Sequence, residues 1–247
     1  MRHVFATMGT VASLESAAPP DVLERVERVF ATADARFSLH RPDSELAVFN
    51  AGRASLVESS LELRAAYETA IEWRIATGGA FTPTRPDGLL DLNGVVKALA
   101  MRDAGAVLES SGCRDWTLSV GGDLLASGAG PAGIPWSTGI ADPHDRATLL
   151  CAVDLCGSRR AIATSGSAER GDHIWLAGSA ATYVQVTVVA DDIVTADVLA
   201  TAIVAGGEPV LREACDRWSI DVLTVDAAGA LSATPGFRAA LSVAATA

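Results

Sequence analysis

Asp197 and Thr201 are the residues whose types and spacing most clearly suggest chemistry. They lie four positions apart in TADVLATAIVAGG, where apolar residues recur at helical spacing. On a helix, this spacing places a carboxylate and a hydroxyl on one face, as two hard oxygen ligands near the N-terminus. Backbone N–H groups there also favour phosphate. A structural role stays open at this point, because an Asp near a helix N-terminus also stabilises the helix through its dipole.

The helix that would carry this pair is predicted to follow a strand. Tyr183–Ala190 alternates between apolar and polar residues, which is typical of a strand. We expect Thr195 to cap the helix N-terminus and Gly206-Gly207 to end the helix. The two candidate ligands would then lie in the first turns of the helix, close to the end of the strand.

Lys97 is a second candidate, in a predicted helix from Val95 to Ser110 that follows a turn at Asn93-Gly94. A lysine is the less favoured charge in the first turn of a helix. Its presence there indicates a nearby anion, such as a phosphate. The alternative is an ordinary solvated lysine.

Glycines suggest a close approach to a ligand at two further places. Met8-Gly9-Thr10 interrupts a predicted first strand, Val4–Ser13, and indicates a bulge or a close backbone approach. Gly121-Gly122 follows a predicted strand, Trp116–Val120, and a further strand segment comes after it. This second glycine pair is interpreted as a bulge or as a floor for a flat ligand.

One polar stretch could be a site and another shows no chemical motif. Thr164-Ser165-Gly166 is predicted to end a strand that begins at Arg160, and the polar run Ser167–His173 follows. Hydroxyls and a histidine on a loop could act together, although an ordinary surface loop has the same composition. The turn-rich stretch Gly128–Gly157 shows no such grouping.

Composition limits the classes of partner. The net charge of −11 and the absence of a Lys/Arg run argue against binding to nucleic acid or to an anionic membrane. No stretch approaches the roughly 18 apolar residues of a transmembrane segment, and the N-terminal residues lack the apolar run of an export signal. The four cysteines show no metal-binding spacing. We therefore expect a cytoplasmic protein with reduced cysteines.

The predicted fold class is α+β. Apolar periodicity predicts amphipathic helices that alternate with short strands, without an internal repeat or linker. We expect residues 1–247 to form one compact domain, which could be bilobed, with a mixed or antiparallel sheet flanked by helices. Besides the two helices above, the predicted helices are Asp21–Ala35, Glu58–Thr77 and Pro209–Trp218, with a short helical turn from Ser44.

Seven segments, in this order and spacing, resemble the FAD:protein FMN transferases, the ApbE-type flavin transferases. Each segment is weakly specific alone, whereas the set spans most of the chain. The segments are MGT at Met8–Thr10, FSLHRPDSELAVFN at Phe37–Asn50, TGGAFTPT at Thr77–Thr84, LDLNGVVKALA at Leu90–Ala100, SVGGD at Ser119–Asp123, ATSG at Ala163–Gly166 and TADVLATA at Thr195–Ala202.

The resemblance implies a reaction and the residues that perform it. FMN is moved from FAD to a Ser or Thr hydroxyl of an acceptor protein, AMP is released, and Mg²⁺ neutralises the phosphates. Asp197, Thr201 and the carbonyl of Gly94 would hold Mg²⁺, and Asp197 and His173 would be the catalytic residues. The residues expected to bind FAD are Met8, Glu45, Thr77, Lys97, Gly121, Gly122, Asp123, Thr164 and Ser165.

The chain departs from the family pattern near the expected second wall of the cleft. Thr82 stands where the family usually has an acidic residue, and the segment after His173 lacks the usual Asp-Pro-x-Thr-Gly turn. Asn93 and Ala98 replace glycines that are usual around the lysine. Two alternatives therefore stay open: a Mg²⁺-dependent FAD pyrophosphatase that yields FMN and AMP, and a non-catalytic FAD-binding protein.

Overall fold

An antiparallel sheet of eight strands is the frame of the part that the computed structural model describes, residues 1–166 and 182–242. Two further strands form a separate hairpin. In chain order the strands are β1 (Arg2–Thr7), β2 (Thr10–Ser16), β3 (Trp116–Val120), β4 (Asp123–Ser127), β5 (Trp136–Ala141), β6 (Leu149–Leu155), β7 (Ala161–Gly166), β8 (Tyr183–Ala190), β9 (Asp221–Asp226) and β10 (Leu231–Ala233). The order across the sheet is β1-β2-β3-β4-β7-β8-β9-β10, and the hairpin is β5-β6.

Helices cover one face of the sheet, and the β5-β6 hairpin covers part of the other. The helices are α1 (Pro20–Phe37), α2 (Glu45–Asn50), α3 (Leu61–Ala76), α4 (Asn93–Ser110), α5 (Ile193–Arg217) and α6 (Pro235–Ala239). The larger core lies between the sheet and α1, α4 and α5. A smaller core joins the hairpin and α6 to β4 and β7–β9, through side chains such as Ile140, Val153 and Phe237. The predicted α+β class with a helix-flanked sheet is confirmed, and every described strand pair is antiparallel.

The predicted strand Tyr183–Ala190 is β8, and it lies in the middle of the sheet. Its polar residues do not face solvent, because Gln185 and Thr187 are only 6% and 0% exposed. Thr187 Oγ1 lies 2.9 Å from Thr164 Oγ1 of β7, and Gln185 Nε2 donates to the Ala141 carbonyl of β5 at 3.1 Å. The alternation therefore marks polar contacts to a neighbouring strand and to the β5-β6 hairpin rather than a solvated face.

Helix α5 begins earlier than the sequence predicts. Asp192, not Thr195, is the N-cap, and its carboxylate accepts hydrogen bonds from the Thr195 N–H at 2.8 Å and hydroxyl at 3.0 Å. The predicted stop at Gly206-Gly207 is a break within the element, since Gly207 has φ 67° while the helix extends to Arg217. Asp197 therefore lies in the second turn of the helix.

The helix α5 also meets the length and hydropathy requirements for a membrane span, which the sequence analysis did not single out. Of its most apolar window, 67% is buried inside the protein. Buried core helices of soluble proteins pass the same test, so this observation is weak evidence for a membrane segment. Its packing on β7 and β8 accounts for the apolar composition.

Two of the glycine signals are hairpin turns rather than bulges. Met8 and Gly9, with φ 47° and 72°, join β1 to β2, and Gly121 and Gly122, with φ 56° and 92°, join β3 to β4. Two-residue turns with positive φ at both positions match the twist of antiparallel strands. The predicted single first strand, Val4–Ser13, is therefore wrong, because the chain reverses at Met8.

One further boundary differs from the prediction. Asn93 and Gly94 are the first residues of α4 and not a turn, and the Asp91 carboxylate accepts a hydrogen bond from the Asn93 N–H at 2.9 Å. Lys97 accordingly lies in the second turn of α4. The predicted end of the strand that begins near Arg160 is confirmed, because Thr164, Ser165 and Gly166 are the last residues of β7.

Candidate active site

A cavity of about 890 Å³ lies where the two hairpin turns meet the N-terminal end of α4. The volume falls within the range of small-molecule and cofactor sites, roughly 300–1,000 Å³. Met8, Gly94, Lys97, Gly121, Gly122 and Thr201, six of the residues predicted for the site, line it. The structure thus brings together residues from β1-β2, β3-β4, α4 and α5.

A buried cluster of charges lies behind the wall of this cavity, and of its three residues Lys97 lines the cavity while Asp123 and Asp197 do not. The Lys97 amine contacts the Asp123 carboxylate and lies 3.5 Å from Asp197 Oδ2. Lys97 is 8% exposed, whereas Asp123 and Asp197 are 0% exposed. Two carboxylates and one ammonium group carry one net negative charge, and charges this deeply buried require close partners. Carboxylates are suitable ligands for a hard cation, in addition to the contacts that these residues already make.

Hydroxyl groups extend this cluster along α5 and β7. Thr201 lies one helical turn after Asp197 and lines the cavity. Its Oγ1 is 3.0 Å from Ser165 Oγ, while the Thr164 N–H donates to Asp123 Oδ1 at 3.1 Å. Thr164 and Ser165 thus contact the site residues from behind and do not line the cavity themselves.

Gly94 is required where α4 meets the cavity. A Cβ atom at this position would lie 2.7 Å from Phe81 Cε2, which is closer than side chains tolerate. Thr77 holds this aromatic side chain indirectly, because its Oγ1 accepts from the Phe81 N–H at 3.1 Å and donates to the Trp73 carbonyl at 2.8 Å. The absence of a side chain at Gly94 leaves its backbone close to the cavity.

Among the described residues predicted for the site, Glu45 is not part of the cavity lining and contacts the start of α3 instead. The Glu45 carboxylate accepts from the Ser60 N–H at 2.5 Å and from its hydroxyl at 2.7 Å, and lies 3.3 Å from Arg36 Nε. It therefore stabilises the start of α3, and its contact with FAD stays a prediction. His173 lies outside the described residues, so its role stays a prediction as well.

Several cavity residues were missed by the sequence analysis. Asp34, His40, Asp91 and Arg146 all line the cavity. Arg146 belongs to the connection between β5 and β6, within the stretch in which no chemistry was predicted. That connection is fixed by hydrogen bonds from the Thr148 hydroxyl to Asp145 Oδ2 at 2.8 Å and from the Asp142 N–H to the Thr148 carbonyl at 2.9 Å. No local sequence pattern predicts that Arg146 lies at the cavity, because this position depends on the packing of the hairpin on the sheet.

The donor set for a metal is small. Within residues 1–166 and 182–242, no group of three or more His, Cys, Asp or Glu side chains could hold a metal ion. A metal at this cavity would accordingly need hydroxyl or backbone oxygens beside a carboxylate. Asp197, Thr201 and Gly94 offer one oxygen donor of each kind, and all three are hard ligands of the type that Mg²⁺ prefers.

Comparisons with known proteins show what the chain is similar to. A curated relative, the FAD:protein FMN transferase of Klebsiella pneumoniae (strain 342), is 36% identical over 83 residues, which is 33% of this chain and 23% of that protein. Among solved structures, the flavin transferase ApbE from Vibrio cholerae has a TM-score of 0.81 at 22% identity, over 98% of this chain and 99% of that one. The ApbE protein from Thermotoga maritima has a TM-score of 0.81 at 19% identity, with the same coverage of both chains.

A third structure, the apo form of the flavinyl transferase ApbE from Pseudomonas stutzeri, has a TM-score of 0.78 at 20% identity, over 98% of this chain and 97% of that one. At these identities the structural similarity establishes the fold alone. The family model described as the ApbE family matches residues 8–87 and 85–224, which is most of the chain. The chain therefore belongs to the ApbE family.

Proposed function

We propose that this protein transfers FMN from FAD to a Ser or Thr hydroxyl of an acceptor protein and releases AMP. Family membership and the name of the curated relative support this proposal. The observation that carries it is the buried cluster of Lys97, Asp123 and Asp197 at a cavity large enough for a nucleotide. Transfer at a diphosphate needs positive charge where the bond breaks, and the Lys97 ammonium together with a cation held by the carboxylates would supply it.

We propose further that Asp197, Thr201 and the Gly94 carbonyl hold Mg²⁺. The fit rests on the oxygen donors of Thr201 and Gly94, which line the cavity, and on the buried carboxylate of Asp197 beside Lys97. When bound, Mg²⁺ would neutralise the phosphate oxygens and make the phosphorus more open to attack. The side chains that position the phosphates are Lys97 and Arg146, which both line the cavity.

In the proposed reaction, the acceptor hydroxyl oxygen forms a bond to the phosphorus of the FMN half of FAD. The P–O bond to AMP breaks, and AMP leaves with the electron pair of that bond. The proton of the hydroxyl must pass to a base, for which His173 is the prediction. The glycine turns at Gly9 and Gly121-Gly122 allow a flat ring to approach the backbone closely.

A binding measurement tests the substrate. Equilibrium dialysis with Mg²⁺ should show a clear preference for FAD over ATP, because ATP lacks the isoalloxazine ring. Incubation with FAD and an acceptor peptide should also release AMP with Mg²⁺ and not with EDTA. Equal affinity for FAD and ATP would refute the proposed substrate, and AMP release that is insensitive to EDTA would refute the proposed metal site.

Met8 provides a prediction that separates ligand binding from folding. Its φ of 47° is unfavourable for a methionine, and asparagine is preferred in such turns. Met8→Asn should leave the free energy of unfolding unchanged or raise it by up to about 1 kcal/mol, and it should weaken FAD binding because the side chain lines the cavity. Chemical denaturation and fluorescence titration measure the two effects. The matched control is Ala132→Asn, at an exposed position with φ 59°, which should leave FAD binding unchanged; equal FAD affinity in both variants would contradict a ligand contact by Met8.

Arg146 gives a second prediction, which concerns the diphosphate. Arg146→Gln should raise the Kd for FAD by about tenfold or more, the effect of losing one charge-assisted hydrogen bond. Riboflavin, which has no phosphate, should bind the variant and the wild type alike. Arg212→Gln is the control, because Arg212 is exposed and pairs with Glu208 on its own helix. Equal losses for FAD and riboflavin would contradict a phosphate contact.

We also propose that the acceptor protein is met in the cytoplasm. All four cysteines are free, and Cys156 and Cys215 are exposed. Exposed thiols suit a reducing compartment. Cell fractionation of the native producer tests this proposal, and recovery of the protein outside the cytoplasmic fraction would contradict it.

A further inference from the structure

Asp123 was expected to line the FAD cleft, but the structure gives it a different place. It is the first residue of β4, directly after the Gly121-Gly122 turn, and it is 0% exposed. One carboxylate oxygen contacts the Lys97 amine, and the other accepts a hydrogen bond from the Thr164 N–H at 3.1 Å. Thr164 of β7 thus holds one oxygen of the carboxylate, and the other oxygen binds the Lys97 amine.

The position of Lys97 matters for Asp197. The Lys97 amine is closer to Asp123 than to Asp197, from which it lies 3.5 Å away. A lysine ammonium and a metal cation compete for the same carboxylate, and at short range in a poorly solvated site their repulsion is large. A lysine that paired fully with Asp197 would therefore oppose metal binding there.

We propose that Asp123 is a positioning residue that binds the Lys97 amine and so leaves the Asp197 carboxylate able to hold the metal. This inference rests on the proposed Mg²⁺ site. It assigns Asp123 an action through Lys97, without direct contact with the metal or with FAD. The hydrogen bond from the Thr164 N–H holds the Asp123 carboxylate in place. The ATSG segment, which contains Thr164, therefore also contributes to the position of Lys97.

The proposal can be tested by comparing the wild type with three variants that differ in the net charge of the cluster. In the wild type, the three side chains carry one net negative charge. Asp123→Asn leaves Lys97 and Asp197 to neutralise each other, whereas Asp123→Asn/Lys97→Met restores the single negative charge with no lysine to compete. Lys97→Met alone leaves both carboxylates.

Isothermal titration with Mg²⁺ alone measures the effect without reference to activity, and thermal melting monitors the fold. Asp123→Asn should raise the Kd for Mg²⁺ by about tenfold or more. The double variant should recover an affinity within about threefold of wild type, because its cluster has the wild-type net charge. Should Asp123→Asn fail to fold, Lys97→Met and the double variant are compared with each other. We then expect the Kd for Mg²⁺ of each variant to be at most about threefold higher than that of the wild type.

Three results would overturn the proposal. An unchanged Kd in Asp123→Asn would remove the role of Asp123 and leave the metal site intact. Equally weak binding by the single and double variants would make Asp123 a direct ligand. Absence of Mg²⁺ binding by the wild-type protein would overturn the proposed metal site, and this inference with it.

Discussion

Asp197→Asn should abolish AMP release at ordinary Mg²⁺ concentrations while the protein stays folded. Asp197 is 0% exposed and lies 3.5 Å from the amine of Lys97, which lines the cavity. An amide offers one neutral oxygen in place of a carboxylate, and Mg²⁺ gives up its water reluctantly, so the variant would bind the metal poorly. The Mg²⁺ dependence of AMP release and the melting temperature, measured on the same variant, give the two readouts.

A purely structural role for Asp197 predicts a different result. A residue that acts on the helix dipole contributes about 0.3–1 kcal/mol to stability, and only within the first turn. Helix α5 begins at Ile193, so Asp197 is one turn too far from the N-terminus for a large effect. Asp192→Asn is the matched control on the same helix, because Asp192 is the N-cap and asparagine caps helices well. A slightly less stable Asp197→Asn variant with a wild-type Mg²⁺ response would refute the metal site.

His173→Ala should lower turnover by about 10²-fold or more, the usual contribution of a positioned acid–base group. A histidine suits the transfer of a hydroxyl proton, because its ordinary pKa is near neutral. The affinity for FAD should change little, so the loss should appear in kcat rather than in FAD binding.

The control for this prediction is His40→Ala, since His40 is a histidine that lines the cavity. If proton transfer belongs to His173, His40→Ala should keep most of the wild-type kcat. A large loss in His40→Ala together with an unchanged His173→Ala rate would contradict the assignment and transfer the role to His40.

The strand and helix around Asp197 were predictable because their signals are local. Apolar spacing identified β8 and the core of α5, and the four-residue interval placed Asp197 and Thr201 on one face. The helix start was less accurate, since both Asp192 and Thr195 are plausible caps and the hydrogen bond between them decides the matter.

The hairpin turns and the charge cluster were less predictable. A glycine between apolar residues fits a bulge as well as a reversal of the chain, and only the pairing of β1 with β2 distinguishes the two at Met8-Gly9. The family resemblance predicted that Asp123 lines the FAD cleft. Its burial depends on contacts with Lys97 and Thr164, which come from distant parts of the chain.

The positions of Arg146 and Thr82 in the cavity wall were also not predictable from local sequence. Arg146 is brought to the site by the β5-β6 hairpin, whose packing on the sheet is set by the second core. Thr82, which stands where the family usually has an acidic residue, also lines the cavity. This departure from the family pattern therefore falls within the candidate site, where it bears on substrate binding.

AMP release and attachment of flavin to an acceptor peptide, measured together, test the proposed function most directly. The protein is incubated with FAD and Mg²⁺, with and without a peptide that carries a candidate acceptor Thr, and a Thr→Val peptide is the control. FMN transfer predicts AMP and flavin-labelled peptide in equal amounts, with neither formed on the control peptide beyond background. AMP release at the same rate without an acceptor, and without labelled peptide, would contradict transfer and identify a hydrolase of FAD.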